Sequence, residues 1–103
     1  MRIIKESTLD EFAARYPDAA DWLENFAETV RNSSWKSIQD VRRIYSHADA
    51  VTVESGKTVT VFNVRGNRYR LVMAMHYNRG GRAFVRNFMT HAEYNKGYWK
   101  KRQ

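Results

Sequence analysis

The chain has 103 residues, 43% hydrophobic and 14% aromatic, which supports one packed core and is too short for two. It has no cysteine, which excludes a disulfide framework and any thiolate metal site. No apolar run approaches the roughly 20 residues of a spanning helix, and MRIIKESTLDEF at the start lacks the apolar core of a signal peptide, so the expectation is a single domain over residues 1–103, cytoplasmic and without a membrane partner.

The charge is divided unevenly. Residues 1–55 carry 7 Lys and Arg against 10 Asp and Glu, whereas residues 56–103 carry 11 against Glu93 alone, so that −3 and +10 give the net +7. A one-signed surface of this kind attracts a polyanion, because it raises both the association rate and the non-specific affinity for phosphate. A basic face kept for solubility, or an acidic protein partner, would account for the same numbers.

Taken in chain order, Arg2–Lys5 reads as a short first strand. Ser7 is placed as an N-cap, with Asp10 three residues on, opening a helix over about 8–16 whose apolar positions are Leu9, Phe12, Ala13 and Tyr16. Pro17 ends it, and Asp18 caps a second helix running to about Arg31 with Trp22, Leu23, Phe26, Ala27 and Val30 on one face. These aromatics are assigned to the core. Asn32-Ser33-Ser34 breaks the pattern; Ile38, Val41 and Ile44 or Tyr45 suggest a third, short helix, and Ser46–Asp49 is a connector.

From Ala50 the period changes to two. Val51 and Val53 alternate with polar residues, Ser55-Gly56 turns the chain, and Thr58–Val64 is rich in β-branched residues. Gly66-Asn67 fits a two-residue hairpin turn, Arg68–Tyr77 is the clearest strand, Asn78–Gly81 turns again, and Arg82–Met89 returns. A short helix-like segment carries His91 and Tyr94, and the basic tail Lys100-Lys101-Arg102 is expected to fray. The fold expected is α+β: an antiparallel sheet of four to five strands with two to three N-terminal helices on one face and a short C-terminal helix.

Alternation in the Arg68–Tyr77 strand puts Tyr69, Leu71, Met73, Met75 and Tyr77 toward the helices. Arg68, Arg70 and His76 then fall on the other face, with Lys57 and Arg65 near the hairpin ends. Such a face suits RNA, since guanidinium groups pair with phosphate and stack on bases. Arg86 breaks its strand's alternation by sharing parity with Phe84 and Phe88, so either that strand has mixed faces or Arg86 is partly buried beside a counter-charge. His91 stands at a strand-to-helix junction and is the imidazole singled out for proton transfer. Tyr94 is a candidate to stack on a base or orient a phosphate, and Glu93 reads as a helix-start carboxylate. Asn67 reads as turn chemistry, Asn63 and Asn87 as strand polars, and His47 and His76 lie outside any cluster. No metal-ligand spacing occurs, and Gly80-Gly81 precedes a strand, unlike a phosphate-cradling loop. No cofactor is expected.

The strings VFNVRGNRYRLV at 61–72 and FVRNFMTHAEYNK at 84–96, with WKSIQDVRRIY at 35–45, resemble the HigB toxins of bacterial type II toxin–antitoxin modules, within the wider RelE-like group. The resemblance covers almost the whole chain. It implies cleavage of mRNA, generally on the translating ribosome, and neutralisation by a HigA-type antitoxin with a helix-turn-helix domain. It also implies that Arg70 contacts the scissile phosphate, that His91 occupies the position of a catalytic basic side chain, and that Tyr94 matches a terminal aromatic. Arg86 and Asn67 belong to the family strings, and Lys57 is carried over with them. The chain lacks the paired-lysine strand of RelE proper, which leaves the general base open. The implied route needs no metal: the substrate's 2′-OH attacks the adjacent phosphorus. Two rivals use the same residues without cleavage: a gyrase poison of the ParE kind, and a plain RNA-binding module.

Overall fold

The computed structural model describes residues 1–102. Strand β1 (Arg2–Ile4) leads into α1 (Ser7–Arg15), a 3₁₀ turn (Pro17–Ala19), α2 (Ala20–Arg31) and α3 (Ile38–Arg42). Then follow β2 (Asp49–Thr52), β3 (Thr58–Val64), β4 (Tyr69–His76), β5 (Arg82–Thr90), α4 (His91–Lys96) and a closing 3₁₀ turn (Tyr98–Arg102). The strands form one sheet in the order β1-β5-β4-β3-β2. β2 to β5 are an antiparallel meander, as the turn signals require, but β1 joins the far edge parallel to β5, so the five-stranded sheet is mixed.

The α+β architecture expected from the sequence is present, with some local differences. Ser7 is the first helical residue of α1, not its cap; Glu6 precedes it and makes no side-chain cap bond. Pro17 opens the 3₁₀ turn, where its missing N–H has no bond to lose. Asp18 does not cap α2 either, since its carboxylate turns to the sheet. Of the two apolar candidates after α3, Tyr45 packs against the core and Ile44 is exposed.

The helices bury one face of the sheet. Phe26 of α2 meets Phe62 of β3 edge-on at 4.9 Å between centroids, stacks on Trp22 at 5.2 Å and touches Tyr45 at 5.5 Å. Leu71 and Met73 of β4 and Ala83, Val85 and Phe88 of β5 complete this core, matching the face predicted for β4. A register shift between Val72 and Met73 explains the parity of β5: Val72 faces Asn87 while Met73 faces Val85, leaving Arg86 as the extra residue of a bulge. Val85 and Phe88 can thus both face the helices while Arg86 stays exposed, so of the two alternatives for Arg86 the mixed-face strand holds and partial burial does not.

The other sheet face has a smaller core of Val53, Val59, Val61, Val72 and Met89, covered by the C-terminal segment. Gly97, at φ 77°, ends α4 in the left-handed region that a side chain disfavours. The following 3₁₀ turn lays Trp99 on these valines with 6% of its surface exposed. Glu54 N–H donates to the Lys100 carbonyl at 3.4 Å. The expected frayed tail is therefore anchored through Lys100, because burying an indole outweighs the ordering of a few backbone residues.

Candidate active site

Arg70 lies in the middle of three strands, opposite Asn63 of β3 and Met89 of β5, with its side chain on the face away from the helices. Only 8% of it is exposed. Its Nη1 donates to the Tyr69 carbonyl at 3.1 Å and its Nη2 to Oδ1 of Asn67 at 3.1 Å, and its Cζ sits 5.6 Å from the Tyr94 ring centroid. Among the described residues the ion pairs are Arg31–Glu6, Arg43–Asp40 and Arg68–Asp18; Arg70 belongs to none. A buried guanidinium whose hydrogen-bond acceptors are neutral is not tied up in an ion pair and can meet an anion that enters the site.

The hairpin turn supplies Asn67. The turn is longer than two residues, with Val64 paired to Tyr69 and Arg65–Arg68 between them. Its left-handed residues are Arg65, at φ 54°, and Gly66, at φ 67°. Asn67 is therefore not spent on an unusual backbone angle, and its side chain folds back on Arg70. Arg65 itself is exposed. Arg68 lies in the turn rather than in the strand, and donates to Asp18 at 3.0 Å on the helix side. Its expected place on the Arg70 face is not what the structure shows.

Helix α4 supplies Tyr94. Thr90 caps it: Oγ1 accepts from Glu93 N–H at 3.2 Å, while Oε1 of Glu93 accepts from Thr90 N–H at 3.0 Å. That backbone bond holds the Glu93 carboxyl below its usual range, and fixes it as a structural group. Tyr94 stacks on Trp99 at 5.2 Å, and the indole N–H donates to the Tyr94 carbonyl at 3.1 Å. Burial raises the Tyr94 phenol above its ordinary value, and the Asp49 carboxylate raises it further against the opposing effect of Arg70. At neutral pH this phenol is a donor, not a phenolate.

Arg70 and Tyr94 open on a hollow of about 500 Å³ whose other walls are Arg42, Ser46, His47, Ala48, Asp49, Val61 and Asn63. His47 enters unexpectedly, and the register accounts for it: Asp49 is opposite Val61, so the residues leading into β2 run alongside Asn63, the neighbour of Arg70. The loop is fixed by Arg42 Nε donating to the Ala48 carbonyl at 2.9 Å and by the burial of Ala48. His47 and Asp49, too few for a metal site by their spacing alone, both line this hollow. His91 is the first residue of α4; its N–H donates to the Arg68 carbonyl at 3.0 Å, and its side chain is not among those lining the hollow.

Lys57 and Arg86 are elsewhere. They share a second hollow of about 330 Å³ with Thr58, Val59, Ala74, Met75 and His76. Among the described residues no group of three or more His, Cys, Asp or Glu side chains is arranged to hold a metal ion, and no helix is long and apolar enough to cross a membrane.

A helical hairpin on a small five-stranded sheet, with a basic hollow on the face away from the helices, defines a RelE-like α+β protein. Residues 19–97 match the family model HigB_toxin, described as the RelE-like toxic component of a toxin–antitoxin system, and the chain belongs to that family. Among curated relatives, it is 27% identical over 95 residues to the mRNA interferase toxin HigB of Escherichia coli (strain K12), covering 92% of this chain and 88% of that one. The mRNA interferase HigB of Shigella flexneri matches to the same extent. The mRNA interferase HigB of Escherichia coli O6:H1 is 25% identical over 96 residues, covering 93% and 90%.

Proposed function

We propose that the chain is the toxin of a type II module and acts as an mRNA interferase, an endoribonuclease that cleaves mRNA and so arrests translation and growth. The observation that carries this reading is the buried guanidinium of Arg70, in no ion pair among the described residues, in an open polar hollow. The names of the curated relatives supply the substrate class. As in the family resemblance, cleavage takes place on the translating ribosome, and the partner that restrains it is a HigA-type helix-turn-helix antitoxin.

The chemistry follows from the groups available. The 2′-OH of the bound nucleotide attacks the adjacent phosphorus and gives its proton to a base. The P–O5′ bond breaks, O5′ takes a proton, and the products are a 2′,3′-cyclic phosphate and a 5′-OH. This route takes its nucleophile from the substrate and requires no metal. Arg70 stabilises the charge that builds on the phosphorane oxygens, and its fixed orientation means that no reorganisation is needed as that charge develops. Tyr94 donates to a phosphate oxygen or stacks on the neighbouring base. Proton transfer falls to an imidazole, a contribution on the order of 10²–10⁴-fold. The family resemblance favours His91, and the geometry favours His47, which lines the hollow with Arg70.

The test is single-turnover cleavage of an mRNA, free or on programmed ribosomes, with product ends analysed. Cyclic phosphate and 5′-OH ends, abolished by a 2′-deoxy substitution at the cleaved nucleotide, are expected. His47→Ala and His91→Ala then identify the proton carrier by which one loses the rate. Cleavage that survives the 2′-deoxy substitution rules out the mechanism.

A further inference from the structure

The hollow shared by Lys57 and Arg86 is a second cationic feature on the same sheet face as Arg70. The β2–β3 turn presents Lys57 and the bulge of β5 presents Arg86, with Ala74 and His76 of β4 between them. Neighbouring strands lie about 4.8 Å apart, so the two cations stand on the order of 10 Å apart across β4. Arg82, paired with His76 in the sheet, holds its Cζ 5.9 Å from the Phe84 ring centroid, and that ring meets His76 edge-on at 5.1 Å.

Among the described residues no carboxylate lines this hollow, and Lys57, Arg82 and Arg86 take part in no ion pair. Like charges gathered without a counter-charge repel one another, and a polyanion relieves that repulsion while releasing its own counterions. A partly exposed ring flanked by Arg82 and His76 adds a surface on which a base can stack. The bulge is what lets Arg86 and Asn87 both keep to this side while Val85 and Phe88 stay in the core.

We infer that this hollow is a second phosphate-binding subsite for single-stranded RNA, distinct from the one at Arg70 and divided from it by the Trp99 segment. Arg70 and Ala74 are four residues apart on β4, about 13 Å, so only a strand that extends well past the cleaved nucleotide reaches both. The inference rests on the RNA reading proposed above and adds to it a length requirement and a named pair of contacts.

The experiment compares binding of a trinucleotide and of a strand of about 12 nucleotides, both carrying a 2′-deoxy substitution that blocks cleavage, across a series of salt concentrations. The proteins are the wild-type chain, the Lys57→Ala/Arg86→Ala double variant and a charge-matched control, Lys36→Ala/Arg43→Ala, altered on the helical side. Lys57 and Arg86 are exposed and, among the described residues, in no ion pair, so the double variant folds, and its melting curve checks this. The wild-type chain gains at least about tenfold in affinity from the shorter to the longer strand. The double variant loses that gain, and its log–log salt slope falls by about 1.4, two contacts at about 0.7 each. A double variant matching the control overturns the inference, as does a wild-type chain that binds no free RNA. So does a double variant that keeps its RNA affinity but loosens its hold on an acidic antitoxin segment, which would assign the hollow to a protein. Mapping transcript ends in cells expressing the wild-type chain shows separately whether the RNA reading itself has failed.

Discussion

Nη2 of Arg70 donates to Oδ1 of Asn67 at 3.1 Å, joining the middle strand of the sheet to the turn that precedes it. The amide orients the guanidinium without neutralising it. Asn67→Ala removes a hydrogen bond to a charged group, and cleavage is expected to fall about tenfold, roughly 1.4 kcal/mol. Asn67→Asp is expected to lower it further while raising Tm, because a carboxylate there pairs with Arg70 and competes with phosphate. Single-turnover rates with thermal melts check both, and an Asn67→Asp protein as active as wild type would contradict the role.

A buried charge kept for function costs stability. Arg70→Met fills a similar volume without the unpaired charge, so it is expected to raise the unfolding free energy by about 1 kcal/mol or more. It should also lower cleavage by about 10²–10³-fold. Denaturant unfolding and a cleavage assay on the same preparation measure the two together. A clear loss of stability would mean that Arg70 serves the fold.

Asp18 ties the helical hairpin to the sheet by accepting from Tyr69 Oη at 2.8 Å and Arg68 Nη1 at 3.0 Å. The Tyr69 bond, with Arg68, lowers the Asp18 carboxyl below its usual value, and the same bond raises the Tyr69 phenol. The signs are opposite. A depressed carboxyl stabilises above its unfolded value of about 3.9 and loses that contribution as pH falls through the folded one; a raised phenol stabilises below about 10 and loses it as pH rises further. Melting temperatures across pH should therefore fall at both ends in the wild type. Asp18→Asn should flatten the acid limb, and an unchanged acid limb would show the clamp to be idle.

Trp99 holds the outer core together and backs the Tyr94 ring. Trp99→Ala is expected to cost about 3–5 kcal/mol and to reduce cleavage in the folded fraction, since Tyr94 loses its stacking partner. Trp99→Phe should recover most of the stability. Urea titrations of the three proteins give the order.

The central elements were legible because the hydrophobic period changes from helical to alternating near Ala50. The face of β4 could be read from Leu71, Met73 and Met75 alone. The bulge at Arg86 could not, because an extra residue shifts parity without changing composition. The parallel pairing of β1 was likewise out of reach, as nothing in Arg2–Ile4 specifies a partner strand. Arg70, Asn67 and Tyr94 were nominated from the sequence, and the structure brings these three together. Lys57 and Arg86 fall in another hollow and Arg68 on the helix side, because a strand pattern says nothing of where turns and bulges point. His47 was missed since its neighbours in space come from β3 and β4, well beyond it in the chain.

If the Arg70 hollow cuts mRNA, transcripts must break soon after the chain is made. Expression from a tightly repressed promoter, followed within minutes by mapping of 5′ ends across the transcripts, tests it most directly. New 5′-OH ends inside translated regions are expected with the wild-type chain and none with Arg70→Ala at equal protein level. Growth arrest with intact transcripts, or cleavage undiminished by Arg70→Ala, would contradict it.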